Sequence, residues 1–286
     1  MKSASVVATN SSLVQVADKK LADTALTRIV TTSWDDGDPF DLRVAQLLAA
    51  RHIPGTFYIP LKGHVEPGHR ACRMSLPEMM DLNSQGFEIG AHGISQPNLA
   101  ACDPKQLIVE VESSKKRLED DLGKRVSMFA YPRGRHNGNV IAVVKRAGFS
   151  GARTTAMLGR QLLFDPFRMP TSVQVYPHTR VDYFRNLGRA WDFRRTWAYA
   201  LHLRCARTWV DLAKILFDSV QRNGGIWHLY GHSWEIDEFK LWDELAEVLD
   251  YVANRPDFTY LSNGAAVQLR VQNQPCASYA TQPTTR

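Results

Sequence analysis

Ser33-Trp34-Asp35-Asp36-Gly37 sets two carboxylates side by side, directly after a short run of strand-forming residues. Two such groups at a strand end are costly unless a cation or hydrogen-bond donors hold them. Adjacent residues point in different directions, so one could bind a metal while its neighbour faces substrate. A plain Asp-Gly turn is the structural alternative. In Glu88-Ile89-Gly90-Ala91-His92 the histidine again follows an apolar strand, as a ligand or as a structural ring, and Gly90 permits close approach of another chain segment. Phe129-Ala130-Tyr131-Pro132-Arg133-Gly134 ends a third strand in a tight turn that could present a backbone N–H inward, as an oxyanion requires. In Ile226 to Glu235 the period of two puts His228, Tyr230 and His232 on one strand face. Polar aromatic residues on one face of an interior strand imply a lined cavity. His232, at the end of the run, is the better catalytic candidate; His228 lies deeper, with a structural ring as the alternative to a site role.

The elements that must position these groups follow from short apolar runs alternating with helical stretches, the pattern of βα units and a parallel sheet. Strands are expected over 28–34, 55–60, 87–91, 127–131, 148–154, 168–172, 225–231 and 259–262. Helices are expected over 38–50, 103–122 and 139–147, and another beginning at Ser75, where Glu78 three residues on makes a capping box. Seven or eight strands predict a distorted parallel (β/α) barrel; an open doubly wound sheet fits the same pattern. In both, function gathers at the C-terminal strand ends, where all four polar clusters fall. Residues 1–26 read as a flexible arm, 27–270 as the catalytic barrel and 271–286, rich in Gln, Pro, Thr and Ser, as a disordered tail.

Together the four motifs resemble those of the NodB-homology polysaccharide deacetylases, or carbohydrate esterase family 4, over roughly residues 27–266. The stretch SWDDGDPFDLRVAQLLAARHIPGTFYIP is followed by IGAHGISQPNL, FAYPRG and HLYGHSWE. The resemblance implies a metal-dependent hydrolase that removes an N-acetyl or similar acyl group from an amino sugar. It implies that Asp35 is the general base, that Asp36 and His92 are metal ligands, and that the Tyr131 N–H serves the oxyanion. It makes His232 the donor to the leaving amine. Tyr230, Trp234 and His228 are expected to meet substrate. Two departures stand out: Gln96 occupies the place of the family's second ligand histidine, and Ala130 the place of an arginine that steadies the base. Arg153, on the next strand, could supply that cation. The family's aspartate-tryptophan motif, which tunes the histidine, has no clear counterpart. The implied cofactor is a divalent ion, zinc in the first instance, with manganese or cobalt more tolerant of the Gln96 oxygen. The alternatives are a non-catalytic carbohydrate-binding protein with a decayed metal site and a hydrolase of a non-sugar amide.

The net charge of +6 is concentrated, with Arg180, Arg185, Arg189, Arg194, Arg195, Arg204 and Arg207 crowding one stretch among aromatic residues. That stretch reads as solvated helical faces, or as a surface for an anionic lipid or membrane. Nucleic acid is not expected, because no binding motif accompanies the charge. No apolar run reaches the ~18 residues of a membrane helix, and no signal segment is evident. Cys72, Cys102, Cys205 and Cys276 form no CxxC pair. A cytoplasmic chain with idle thiols is the expectation.

Overall fold

The computed structural model describes residues 28–63, 73–178 and 206–272. Its centre is a set of parallel strands: β1 (Arg28–Asp35), β2 (Thr56–Ile59), β3 (Glu88–Ala91), β4 (Met128–Ala130), β5 (Gly151–Arg153), β6 (Val173–Gln174), β7 (Gly225–His232) and β8 (Thr259–Tyr260). They run in the order β5-β4-β3-β2-β1-β7-β6, with β8 paired to the start of β1. Met169, just before β6, makes a parallel bridge to Arg153 on β5, so the two ends of this order are joined through one bent segment. The distorted parallel barrel expected from the sequence is the fold.

β6 lies later and is shorter than the expected 168–172. Arg168 closes a 3-10 turn (Pro166–Arg168), and Pro170 has no N–H to give a ladder, so regular pairing resumes only at Val173. The helices are α1 (Asp41–Ala49), α2 (Leu76–Ser84), α3 (Pro104–Ile108), α4 (Ser114–Leu122), α5 (Gly138–Arg146), α6 (Trp209–Asn223), α7 (Ser233–Glu238), α8 (Trp242–Val252) and α9 (Asn263–Gln272). Ser75 caps α2 with the predicted Glu78 box. The expected single helix over 103–122 is instead α3 and α4 joined by a π-helical turn, Val109–Ser113.

β1 and β7 pair over eight residues, and their alternation sorts two environments. Val30, Trp34, Trp227 and Leu229 join the outer core with Val44 and Leu48 of α1, each fully buried. Full burial of such a side chain stabilises by about 1.5–3 kcal/mol. Inward, the register stacks Ile29 on Ile226, Thr31 on His228, Ser33 on Tyr230 and Asp35 on His232. The interior thus turns from apolar to ionisable towards the C-terminal strand ends. At the apolar end Ala266 and Val267 of α9 pack on Ile29, Met128 and Ile226, while Asn263 bonds to Thr31 and Tyr58. Gly90 on β3 is required here, because an added Cβ would lie 2.5 Å from the Tyr58 ring.

The arm, the tail beyond Gln272 and residues 180–204 of the arginine-rich stretch lie outside the described residues; Arg207 is described and exposed. Among the described residues no helix is long and apolar enough to cross a membrane.

Candidate active site

A cavity of about 460 Å³ opens at the C-terminal strand ends, lined among others by Asp35, Asp36, His92, Gln96, His232 and Trp234. Neighbouring strand residues should face opposite ways, yet Asp35 and Asp36 both line it. Asp36 has φ 79°, a left-handed conformation that turns its carboxylate back to the side of Asp35. Gln96 and Arg133, on the same cavity, also have positive φ, at 55° each. Such conformations cost on the order of 1 kcal/mol apiece and gather at sites that need them.

Asp35 is 3% exposed and its two oxygens both bond to the Arg153 terminal nitrogen. Burial alone would push this carboxyl up; Arg153, with His92 and His232, overrides it and lowers the pKa. Arg153 is itself sandwiched between the rings of Tyr58 and Tyr230, at 5.2 and 5.0 Å. The structure therefore puts Arg153 where the sequence asked for a cation, beside Asp35.

His92 donates from Nδ1 to the Ala130 carbonyl at 3.0 Å, which leaves Nε2 facing Asp36 at 3.7 Å and Asp35 at 4.0 Å. Burial lowers its pKa against the pull of the two aspartates, and a neutral imidazole with one nitrogen tied back is the form that ligates metals. Asp36 accepts from Gln96 Nε2 at 2.5 Å and from Trp234 Nε1 at 3.0 Å. Trp234, expected at the substrate, thus lines the cavity and also holds a carboxylate.

Among the described residues no three His, Cys, Asp or Glu side chains converge as a metal-ligating group. Asp36 and His92 fit a divalent cation, with Gln96 as a third, neutral ligand. Half a turn of its amide exchanges NH₂ for oxygen with almost no change of shape, so the group that now donates to Asp36 can also accept a cation. A site of two strong ligands and one amide is a weaker zinc site than one with two histidines.

His232 Nε2 lies 3.9 Å from both aspartates, and its Nδ1 is 2.7 Å from Glu235 Oε2. Burial would lower this histidine's pKa, but Glu235 and then Asp36 and Asp35 raise it to about 10, which favours the protonated ring. Glu235, one helical turn on in α7, escaped the sequence reading, and its spacing of three after His232 was the available signal. Its carboxylate backs the ring for which the sequence offered no tuning aspartate. Gln174 on β6 bonds both Glu235 and the Tyr230 hydroxyl.

Glu110 was also missed. Its carboxylate accepts from the N–H of Ile94 and of Ser95, at 2.7 and 3.0 Å, and from the Ser95 hydroxyl at 2.5 Å, pinning the loop between His92 and Gln96. The π-helical turn carries it, and no local pattern in the sequence marks such a turn.

Two expectations need correction. The Tyr131 N–H is not available to an oxyanion, because it donates to the Arg153 carbonyl at 3.2 Å as β4 pairs with β5. The Tyr131 ring is fully buried, stacked on His136, with its hydroxyl donating to Phe167. Pro132 has no N–H, so the next backbone donor in this turn belongs to Arg133, which lines the cavity. His228, in turn, does not reach substrate. It is fully buried, its Nδ1 donates to the Pro170 carbonyl at 3.1 Å, and its Nε2 accepts from Ser33 at 2.8 Å. Burial and Arg153 hold its pKa down at about 3, so it is a neutral structural ring.

The strand ends of the barrel thus hold an arginine-fixed carboxylate, a tied-back histidine and a carboxylate-backed histidine. Residues 22–152 match the family model of the polysaccharide deacetylases, a span that contains the first three motifs. The resemblance read from the sequence is thus found again by comparison. No curated protein matches the chain. Among solved structures, a Mycobacterium smegmatis protein assigned to the polysaccharide deacetylases is similar with a TM-score of 0.57 and 15% identity, over 91% of this chain and 95% of that one. A family 4 acetyl xylan esterase from Clostridium thermocellum, in complex with a cobalt ion, has a TM-score of 0.51 and 14% identity over 85% and 91%. At these identities the likeness is one of fold. A Streptococcus pyogenes deacetylase in complex with acetate matches in part, at 24% identity and a TM-score of 0.39, and this chain spans 54% of its length.

Proposed function

We propose that this protein hydrolyses the acyl-amide bond of an N-acylated amino sugar. The observation that carries the reading is the opposed tuning across one cavity: Asp35 held ionised by Arg153 and, 3.9 Å away, His232 held protonated by Glu235. A carboxylate and an imidazolium on facing positions of paired strands are a general base and a general acid for one substrate.

Asp36 and His92, with Gln96, would hold a divalent cation, which when bound polarises the acyl carbonyl and makes water more acidic. Asp35 accepts the proton of the attacking water as its oxygen bonds to the carbonyl carbon. Arg153 keeps that carboxylate aimed and charged until then. His232 gives its Nε2 proton to the nitrogen as the C–N bond breaks, and Glu235 stabilises the charged ring beforehand. A free amino sugar and a carboxylate leave. Trp234 offers an aromatic wall on which a sugar ring can pack.

The test is release of acetate, with matching free amine, from a panel of N-acetylated sugars and small non-sugar amides, with zinc, manganese or cobalt supplied. Turnover of the amides alone would move the substrate away from carbohydrate.

A further inference from the structure

The carboxylates of the cavity are deep and each has donors. Asp35 pairs with Arg153, Asp36 is held by Gln96 and Trp234, and Glu235 by His232 and Gln174. The mouth has the opposite character. Lys62 and Arg133 line the same cavity, both are exposed, and among the described residues neither has an ion-pair partner. Their backbones are held in place. Lys62 N–H donates to the Ile94 carbonyl at 2.8 Å, which ties it to the loop that Glu110 pins. Arg133 sits in the 3-10 turn Pro132–Gly134 with φ 55°, a conformation that glycine adopts without penalty. A strained backbone that presents a cation at a cavity mouth is the pattern of a binding residue.

We infer that the cavity selects N-acylated amino sugars that carry a negative charge, a phosphate or a carboxylate, on the unit being deacylated or the next one. This deepens the hydrolase reading and rests on it. Lys62 and Arg133 would meet the anion at the mouth while the acyl group reaches Asp35 and His232. Two cations over a cleft with low-dielectric walls act together more strongly than they would on an open surface, and a preference of about tenfold is expected.

The experiment is calorimetric titration of the full chain with N-acetylglucosamine, its 6-phosphate and the matching 6-uronate, with acetate release followed in parallel. The wild type should bind both charged sugars about tenfold more tightly than the neutral one, and the gap should narrow as salt rises. R133G suits the positive φ and so does not threaten the fold; in K62A/R133G the gap should shrink to about twofold, while R133K should retain most of it. A gap for the phosphate alone would assign the site to phosphates. Equal affinities in the wild type, no measurable binding of either charged sugar, or a gap that survives in K62A/R133G would overturn the inference. Absence of acetate from every sugar would count against the hydrolase reading, while the ratio of affinities still decides the role of the two cations.

Discussion

Replacing Glu235 by glutamine keeps the shape and removes the charge that sits 2.7 Å from His232 Nδ1. A hydrogen bond to a charged group is worth about 1.5–3 kcal/mol, and one pKa unit corresponds to 1.36 kcal/mol, so the pKa of His232 should fall by about 1–2 units. The direction follows from the proposed role. As the donor to the leaving nitrogen in the proposed reaction, His232 is active in its protonated form, and a pKa raised to about 10 keeps that form through neutral pH. With the glutamine, burial is less opposed, the ring loses its proton at lower pH, and the basic limb of the rate profile must move down. The assay is kcat/KM for acyl release between about pH 6 and pH 11 in both proteins. At about pH 9 the variant should have lost several-fold more activity than at about pH 7. Circular dichroism would show that the fold is retained. An unmoved basic limb, or one moved to higher pH, would refute the claim that Glu235 sets the protonation of His232.

The two aspartates should fail differently. D35N leaves Arg153 buried without its counter-charge, an arrangement that costs about 3–5 kcal/mol, so both turnover and urea midpoint should drop, whereas D36N should keep the fold and lose bound metal by elemental analysis. E110Q should loosen the loop behind His92: amide exchange at Ile94 and Ser95 should accelerate, and kcat/KM should fall by about tenfold for about 1.4 kcal/mol of lost positioning. Q96H should tighten zinc binding in a direct titration, since imidazole is the better zinc ligand; an unchanged affinity would mean that position 96 does not face the ion.

What the sequence made legible were features with local physics behind them. Alternation in β7 placed His228, Tyr230 and His232 on one strand face, and the Ser75–Glu78 box marked a helix start. The motifs and their order were enough for the resemblance. What stayed hidden depended on long-range pairing or unusual backbone. The N–H of Tyr131 is spent on a strand partner 22 residues away, which no local pattern shows. The left-handed turn at Asp36 aims two adjacent carboxylates together against the strand rule. Glu110 reaches its loop only because a helix is locally overfilled into a π turn. Arg153 could be suspected as a cation, but its contact with Asp35 spans 118 residues and exists only once β5 is built.

The central claim is that Asp35 and His232 act as base and acid on an acylated amino sugar, and the most direct test is to count products. Purified protein, supplied with a divalent metal and an N-acetylated amino sugar, should release acetate and free amine in equal amounts. D35N and H232A should each reduce that release by at least about a hundredfold, with sugar binding retained in H232A. Binding of the sugar with no acetate from the wild type under any of the metals would contradict the account and leave a carbohydrate-binding barrel in its place.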